Sequence, residues 1–191
     1  ISLAAMYPVI RGRLTAINGQ PVVTAVTKDS EDSGDESLNR ELNLTVSETL
    51  PKGNNLIEGD WWNTPAIAPW PVSVESRLAE RLGLGLGDKL TFTLAEGDVE
   101  AIVSSLRKVD WDSFQPNFYM VFPPAALAAF PASYLTAFHV PNERRDILNT
   151  LVKRFPTIVL IDVDAIMTQI RTLLDDVSRA IEFVLLFVLV A

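Results

Sequence analysis

Apolar and polar positions alternate in twos through most of the chain and in threes and fours near its end. "MYPVIRGRLTAINGQPV" sets β-branched residues and Pro8 beside the polar turn "NGQP". Asn18-Gly19 tolerates the positive φ of a two-residue hairpin, so strands are expected over Tyr7–Ile17 and Val22–Thr27. "VSVESRLAERLGLGLGDKLTF" predicts a strand, a short helix and a second strand. Leu78, Ala79 and Leu82 form the helix's apolar stripe. Ser73 or Ser76 is the expected cap and Gly83 the stop. "LTFTLAEGDVEAIVSSLRKVDW" alternates on both sides of "EGD", a hairpin, and "NFYMVFPP" is a strand stopped by Pro123-Pro124. The period then changes. "PAALAAF" reads as a short helix and "SYLTAFHV" as a strand. "NERRDILNTLVKRF" is an amphipathic helix capped by Asn142, with Ile147, Leu148, Leu151, Val152 and Phe155 inward. "TIVLIDV" reads as a buried strand, which completes a β-α-β lobe beside a β-rich middle.

After Asp162 the apolar residues fall at Val163, Ile166, Ile170, Leu173, Val177, Ile181 and Val184. This spacing gives one long helix with a narrow seam. Arg171, Asp175, Asp176 and Arg179 lie off the seam. From Phe183 to Ala191 no side chain is polar. Those residues cover about half of the roughly 20 that a bilayer-spanning helix needs. The expectation is a stalk that continues into a membrane, cut from a longer chain, since Ile1 is no initiator methionine.

Composition narrows the function classes. The chain has 191 residues, enough for one domain or two small lobes. Sixteen basic against 24 acidic residues leave a net charge of −8, which excludes a nucleic-acid partner that needs a basic face. There is no cysteine, hence no disulfide or thiolate metal site. "KDSEDSGDES" holds five acids and nothing apolar and reads as a solvated loop. As an EF-hand it would start at Asp29 and place Gly34 correctly, but Arg40 occupies the closing position. Gly83, Gly85 and Gly87 follow a helix and precede a strand, the reverse of the nucleotide-binding order, so they read as a turn. Three of the four tryptophans, Trp61, Trp62 and Trp70, lie in "LPKGNNLIEGDWWNTPAIAPWP". They cover the end of a small barrel or offer an aromatic surface to a partner. The single histidine, His139, closes a predicted strand and reads as structural, and there is no GxSxG elbow. Asp110 and Asp112 flank Trp111; acids so placed cap turns, or as a pair could hydrolyse a glycoside. No residue pattern calls for a cofactor or a metal.

Three stretches taken in order, "LIEGDWW", "PVSVESRLAERLGLGLGDKLTFTL" and "IDVDAIMTQIRTLLDDVSRAIEFVLLFVLV", resemble the extracytoplasmic domain of FtsX/MacB-type ABC transporter permeases. "RGRLTAINGQPV", "LNRELNLTVSETLP" and "LRKVDWDSFQPNFYMVFPP" look like the subgroup linked to a periplasmic lysophospholipase or esterase. The acidic insert around Asp29–Glu36 departs from that pattern. The resemblance implies an α+β, MacB-like periplasmic core. Its α/β lobe would be discontinuous, formed by 1–50 and 124–162, with a β-rich lobe inserted at 51–123. A stalk over 163–182 would enter a transmembrane helix at 183–191. The implied role is non-enzymatic: an inner-membrane permease subunit couples ATP hydrolysis in the cytoplasm to movement in the periplasm, for export or extraction of hydrophobic molecules. Implied partners are a cytoplasmic ABC ATPase, a second permease half and a periplasmic esterase or hydrophobic substrate. Ile166, Ile170, Leu173, Val177 and Ile181 would form the coupling seam, and Trp61, Trp62 and Trp70 the partner surface. The rival readings are a membrane-anchored hydrolase using Asp110 and Asp112, and a non-catalytic scaffold domain.

Overall fold

The computed structural model describes residues 6–22, 41–62, 66–112, 115–144 and 146–190. Most of the predicted Val22–Thr27 strand and the whole acidic stretch lie outside them. The chain divides into two compact units, Ile1–His139 and Val140–Ala191.

The first unit is built on β1 (Met6–Ile17), β2 (Gln20–Pro21), β3 (Leu42–Val46), β4 (Asn54–Gly59) and β5 (Trp70–Glu75). Helix α1 (Ser76–Leu82) follows, then β6 (Lys89–Leu94), β7 (Gly97–Val109), β8 (Met120–Phe122) and β9 (Ser133–Thr136). The hairpin at Asn18-Gly19 forms as its chemistry predicts, with φ of 51° and 77°. The "EGD" hairpin pairs β6 with β7 from Lys89↔Ile102 to Leu94↔Gly97.

Pairing runs β1–β3–β8–β5–β7–β6 and returns to β1, so these strands close a barrel. Two contacts are parallel, β3 with β8 and β5 with β7; the others are antiparallel. Strands from the expected 1–50 and 51–123 segments therefore share one sheet. Closure of this kind depends on partners far apart in sequence, which no local pattern displays. The interior holds Ile10, Leu14, Leu44, Val72, Val74, Leu90, Phe92 and Val103, and Leu78 and Ala79 of α1 pack against them.

Long β7 borders both β6 and β4, and a bulge lets it serve two cores. Val72 faces Val103 but Ser73 faces Ser105, so Ser104 is an extra residue on β7. Before the bulge Val99, Ala101 and Val103 fill the barrel; beyond it Leu106 packs there, and Ser105 and Arg107 turn to the outer face. That face is covered by a smaller cluster of Trp62, Phe118 and Val121, with Tyr7, Val9 and Trp61 at its edge. Gly59, at φ +76°, lies against the bulge so closely that a Cβ would collide with the Ser104 carbonyl.

Helix α1 starts from a different cap than expected. Glu75, not Ser73 or Ser76, receives the Leu78 N–H on its carboxylate at 2.9 Å. Ser73 is buried and bonded to Ser105, and Ser76 is already helical. Gly83 ends the helix in the left-handed region at φ 63°. The glycine-rich segment is a turn, as expected: Gly85 N–H donates to Asp88 Oδ2 at 2.7 Å. "PAALAAF" yields only a single 3-10 turn, Pro124–Ala126.

In the second unit, 3-10 turn Asn142–Arg144 precedes α2 (Asp146–Arg154). The side chain of Asn142, the expected cap, lies outside the described set. The apolar stripe of α2 is less inward than expected. Ile147, Leu148 and Leu151 are half-buried, and Val152 and Phe155 are exposed. "TIVLIDV" is not a buried strand: Val159 is 84% exposed and Ile161 67%. Among the described residues no strand pairs with it, and an apolar run without a ladder cannot become a strand. Helix α3 runs unbroken over Val163–Val190, with Asp162 Oδ1 accepting the Ala165 N–H at 3.0 Å as cap. Its length is about 42 Å at the usual rise. Among the described residues no helix is long and apolar enough to cross a membrane.

Candidate functional site

Where β5 and β7 run side by side on the outer face, the buried residues are polar. Ser105 donates to Ser73 at 2.9 Å, and one step along the ladder Arg107 lies opposite Glu75. Arg107 is fully buried and Glu75 only 1% exposed. Arg107 Nη1 donates to Asn54 Oδ1 at 2.7 Å and Nη2 to the Phe118 carbonyl at 2.6 Å. Its Nε has no hydrogen-bond partner among the described residues. Burial pushes the guanidinium down to about 10, against the opposing pull of the Glu75 charge, so Arg107 stays charged at neutral pH. A buried cation survives only when polar groups are arranged to receive it, and here these are the Asn54 side chain and the Phe118 carbonyl.

Asp110 and Tyr119 are each tied to residues distant in sequence. Asp110 N–H donates to the Gly53 carbonyl at 2.9 Å, and Glu75 N–H to the Tyr119 carbonyl at 2.8 Å. Asn117 Nδ2 reaches the Asp110 carbonyl at 2.8 Å. These ties bring the rings of Trp111 and Tyr119 to 4.8 Å, a tilted pair that remains 38% and 41% exposed. Arg77, Glu80 and Arg81, exposed on α1, border the pair, and together with Glu75 they line an open groove.

The residues singled out from sequence are distributed differently. Trp61 and Trp62 stack at 3.9 Å, and their indole N–H groups donate to the carbonyls of Glu48 (3.0 Å) and Ser47 (3.1 Å). Trp62 is 8% exposed, so burial removes it as a partner anchor and makes it a staple between two loops. Trp61 is half-buried beside it, and Trp70 is half-buried against the barrel core. Asp110 Oδ1 accepts the Asp112 N–H at 3.2 Å, the turn-capping arrangement. His139 is exposed, beyond the end of β9. Among the described residues no three His, Cys, Asp or Glu side chains gather as a metal would require. On α3 the seam residues Ile166, Ile170, Leu173, Val177 and Ile181 are 44–58% exposed.

Sequence reading missed the groove. Trp111 enters the sequence reading only through its acidic neighbours, and Arg107 is not singled out there. The available signal was parity. Val99, Ala101, Val103, Ser105, Arg107 and Val109 are the buried alternate positions of β7, so an arginine among them requires a buried partner.

Among known proteins, the chain is 45% identical over 184 residues to the uncharacterised ABC transporter permease YbbP of Escherichia coli strain K12. The alignment covers 96% of this chain. The chain is homologous to a segment of an ABC transporter permease. It spans only 21% of that relative's length. No family model matches. A crystal structure described as a domain of a permease protein from Porphyromonas gingivalis aligns over 81% of this chain and 70% of that one. Its identity is 16% and its TM-score 0.39, too distant to decide fold or role.

Proposed function

We propose that this chain is the extracytoplasmic domain of an ABC transporter permease subunit, coupling nucleotide-driven closure in the cytoplasm to movement outside the membrane. The observation that carries the reading is the 45% identity to a permease over nearly the whole chain. In this reading 163–182 of α3 is the stalk and 183–191 opens a transmembrane helix in the cytoplasmic membrane. A continuous helix is stiff along its axis and passes displacement to what it carries. The exposed seam of Ile166, Ile170, Leu173, Val177 and Ile181 is the face a second permease helix would cover. The partners are a cytoplasmic ABC ATPase and a second permease half. The cargo is a hydrophobic molecule exported or extracted from the membrane, and a periplasmic esterase or lysophospholipase is a further partner.

The test uses the full-length permease with its ATPase in a bilayer, carrying Ile170→Asp or Val177→Asp. A carboxylate on a seam that packs against another helix costs several kcal/mol. ATP turnover should therefore persist while ATP-dependent movement of the domain, read by a pair of spectroscopic labels, is lost. Movement retained in both variants removes the stalk from the mechanism.

A further inference from the structure

We propose that Asn18 is a deamidation site which the fold keeps closed, and that its reaction with water detaches the β1–β2 turn from the glycine-rich turn before β6. The chain holds one Asn-Gly pair, Asn18-Gly19, and both residues are exposed. Glycine offers no side chain to block the cyclisation, and a Cβ on Gly19 would meet nothing within 4 Å. The reaction consumes water and no other reagent. The Gly19 amide nitrogen gives up its proton and bonds to Asn18 Cγ. The Cγ–Nδ2 bond breaks, and that nitrogen takes the proton and leaves as ammonia. Water then opens the cyclic imide at either carbonyl, leaving aspartate or isoaspartate at position 18.

In the folded chain the carboxamide is held at both ends. Asn18 Nδ2 donates to Asp88 Oδ1 at 2.9 Å, and Asn18 Oδ1 accepts the Lys89 N–H at 2.9 Å. The Asn18 N–H donates to the Lys89 carbonyl at 2.7 Å, which fixes the backbone beside them. Asp88 is anchored in turn by the Gly85 N–H on its other oxygen. Held this way, Cγ is not free to turn to the Gly19 nitrogen. Reaction then proceeds only from the fraction of molecules in which the turn has opened. The product cannot restore the contact. Position 18 presents a carboxylate to the Asp88 carboxylate where an amide donor stood, and like charges that close repel. The inference is independent of the permease reading.

The experiment keeps the full chain in detergent micelles at mildly alkaline pH and follows conversion in the tryptic peptide 14–28 by mass spectrometry. The folded chain should convert at least about ten-fold more slowly than the same chain unfolded in urea. Asp88→Ala should speed conversion at least about three-fold, because it frees Nδ2. Val121→Ala lowers stability through the outer cluster, away from the turn, and should leave the rate unchanged. A second pair of variants reads the product. Asn18→Asp should melt below wild type, and the exchanged pair Asn18→Asp/Asp88→Asn, which moves the amide donor to the other side, should recover most of the loss. Three results overturn the proposal: a folded chain that converts as fast as the unfolded one, equal acceleration by Asp88→Ala and Val121→Ala, or an Asn18→Asp chain that melts like wild type.

Discussion

At the residue scale, Arg107 and Asp88 show how one side chain can hold distant segments together. Removing Arg107 strands Asn54 Oδ1 and the Phe118 carbonyl inside the protein and leaves Glu75 as an uncompensated buried charge. Arg107→Ala should therefore cost about 3–5 kcal/mol in urea unfolding, because breaking a buried charge arrangement leaves the full desolvation penalty behind. Arg107→Met, which fills the space, should cost less; equal losses would show that the lost charge and hydrogen bonds, not the emptied volume, set the cost. Asp88 works in the open. It accepts the Gly85 N–H and the Asn18 Nδ2–H, and these bonds hold its carboxyl below the ordinary value. A depressed carboxylate contributes stability that is present above its unfolded pKa and lost as pH falls through the folded one. The stability gap between wild type and Asp88→Asn should be open at neutral pH and close in acid. A gap independent of pH would mean the carboxylate charge plays no part.

At the scale of elements, what was legible in the sequence was whatever local chemistry decides. The Asn18-Gly19 hairpin, the "EGD" hairpin, the length of α1 and its Gly83 stop all depend on residues within a turn of one another. So does the run of α3, whose spacing of three and four persists without a break. Elements that need a distant partner were less readable. "TIVLIDV" has strand composition but no ladder, and β-branched apolar residues do not make a strand without one. The α1 cap was misplaced for a related reason. Glu75 is an unusual capping residue, chosen because the Arg107 charge makes a buried carboxylate tolerable there. The same dependence hid the groove: Trp111 and Tyr119 meet where Asp110 is bonded to Gly53, Phe118 to Arg107 and Tyr119 to Glu75. The tryptophan cluster was legible as a feature, and of its two readings Trp62 follows the structural one, as a plug over the outer face of the sheet.

At the scale of the whole molecule, the apolar core is unevenly divided. Every residue of the two buried clusters, and every half-buried side chain packed on them, belongs to the first unit, ending at Ala132. In the second unit α2 has no buried residue, and the described seam of α3 is exposed. Apolar burial is the dominant source of folding free energy, so Ile1–His139 should carry nearly all of the stability. A chain truncated after His139 should melt within a few degrees of the full chain, because a loss of about 1 kcal/mol moves the midpoint of a domain this size by only roughly 2–8 °C. It should also be monodisperse without detergent, whereas the full chain should associate through α3. Thermal denaturation followed by circular dichroism, with light scattering on the same samples, measures both. Loss of cooperative melting on truncation would show that the second unit is structurally required by the barrel. It would then be part of the barrel's fold and not an arm that the barrel can be moved by. If the barrel instead stands alone, its chain ends are the place to look for the coupling. Met6 of β1 pairs with Thr136 of β9, so the first and last described strands of the unit lie side by side on a two-stranded ribbon.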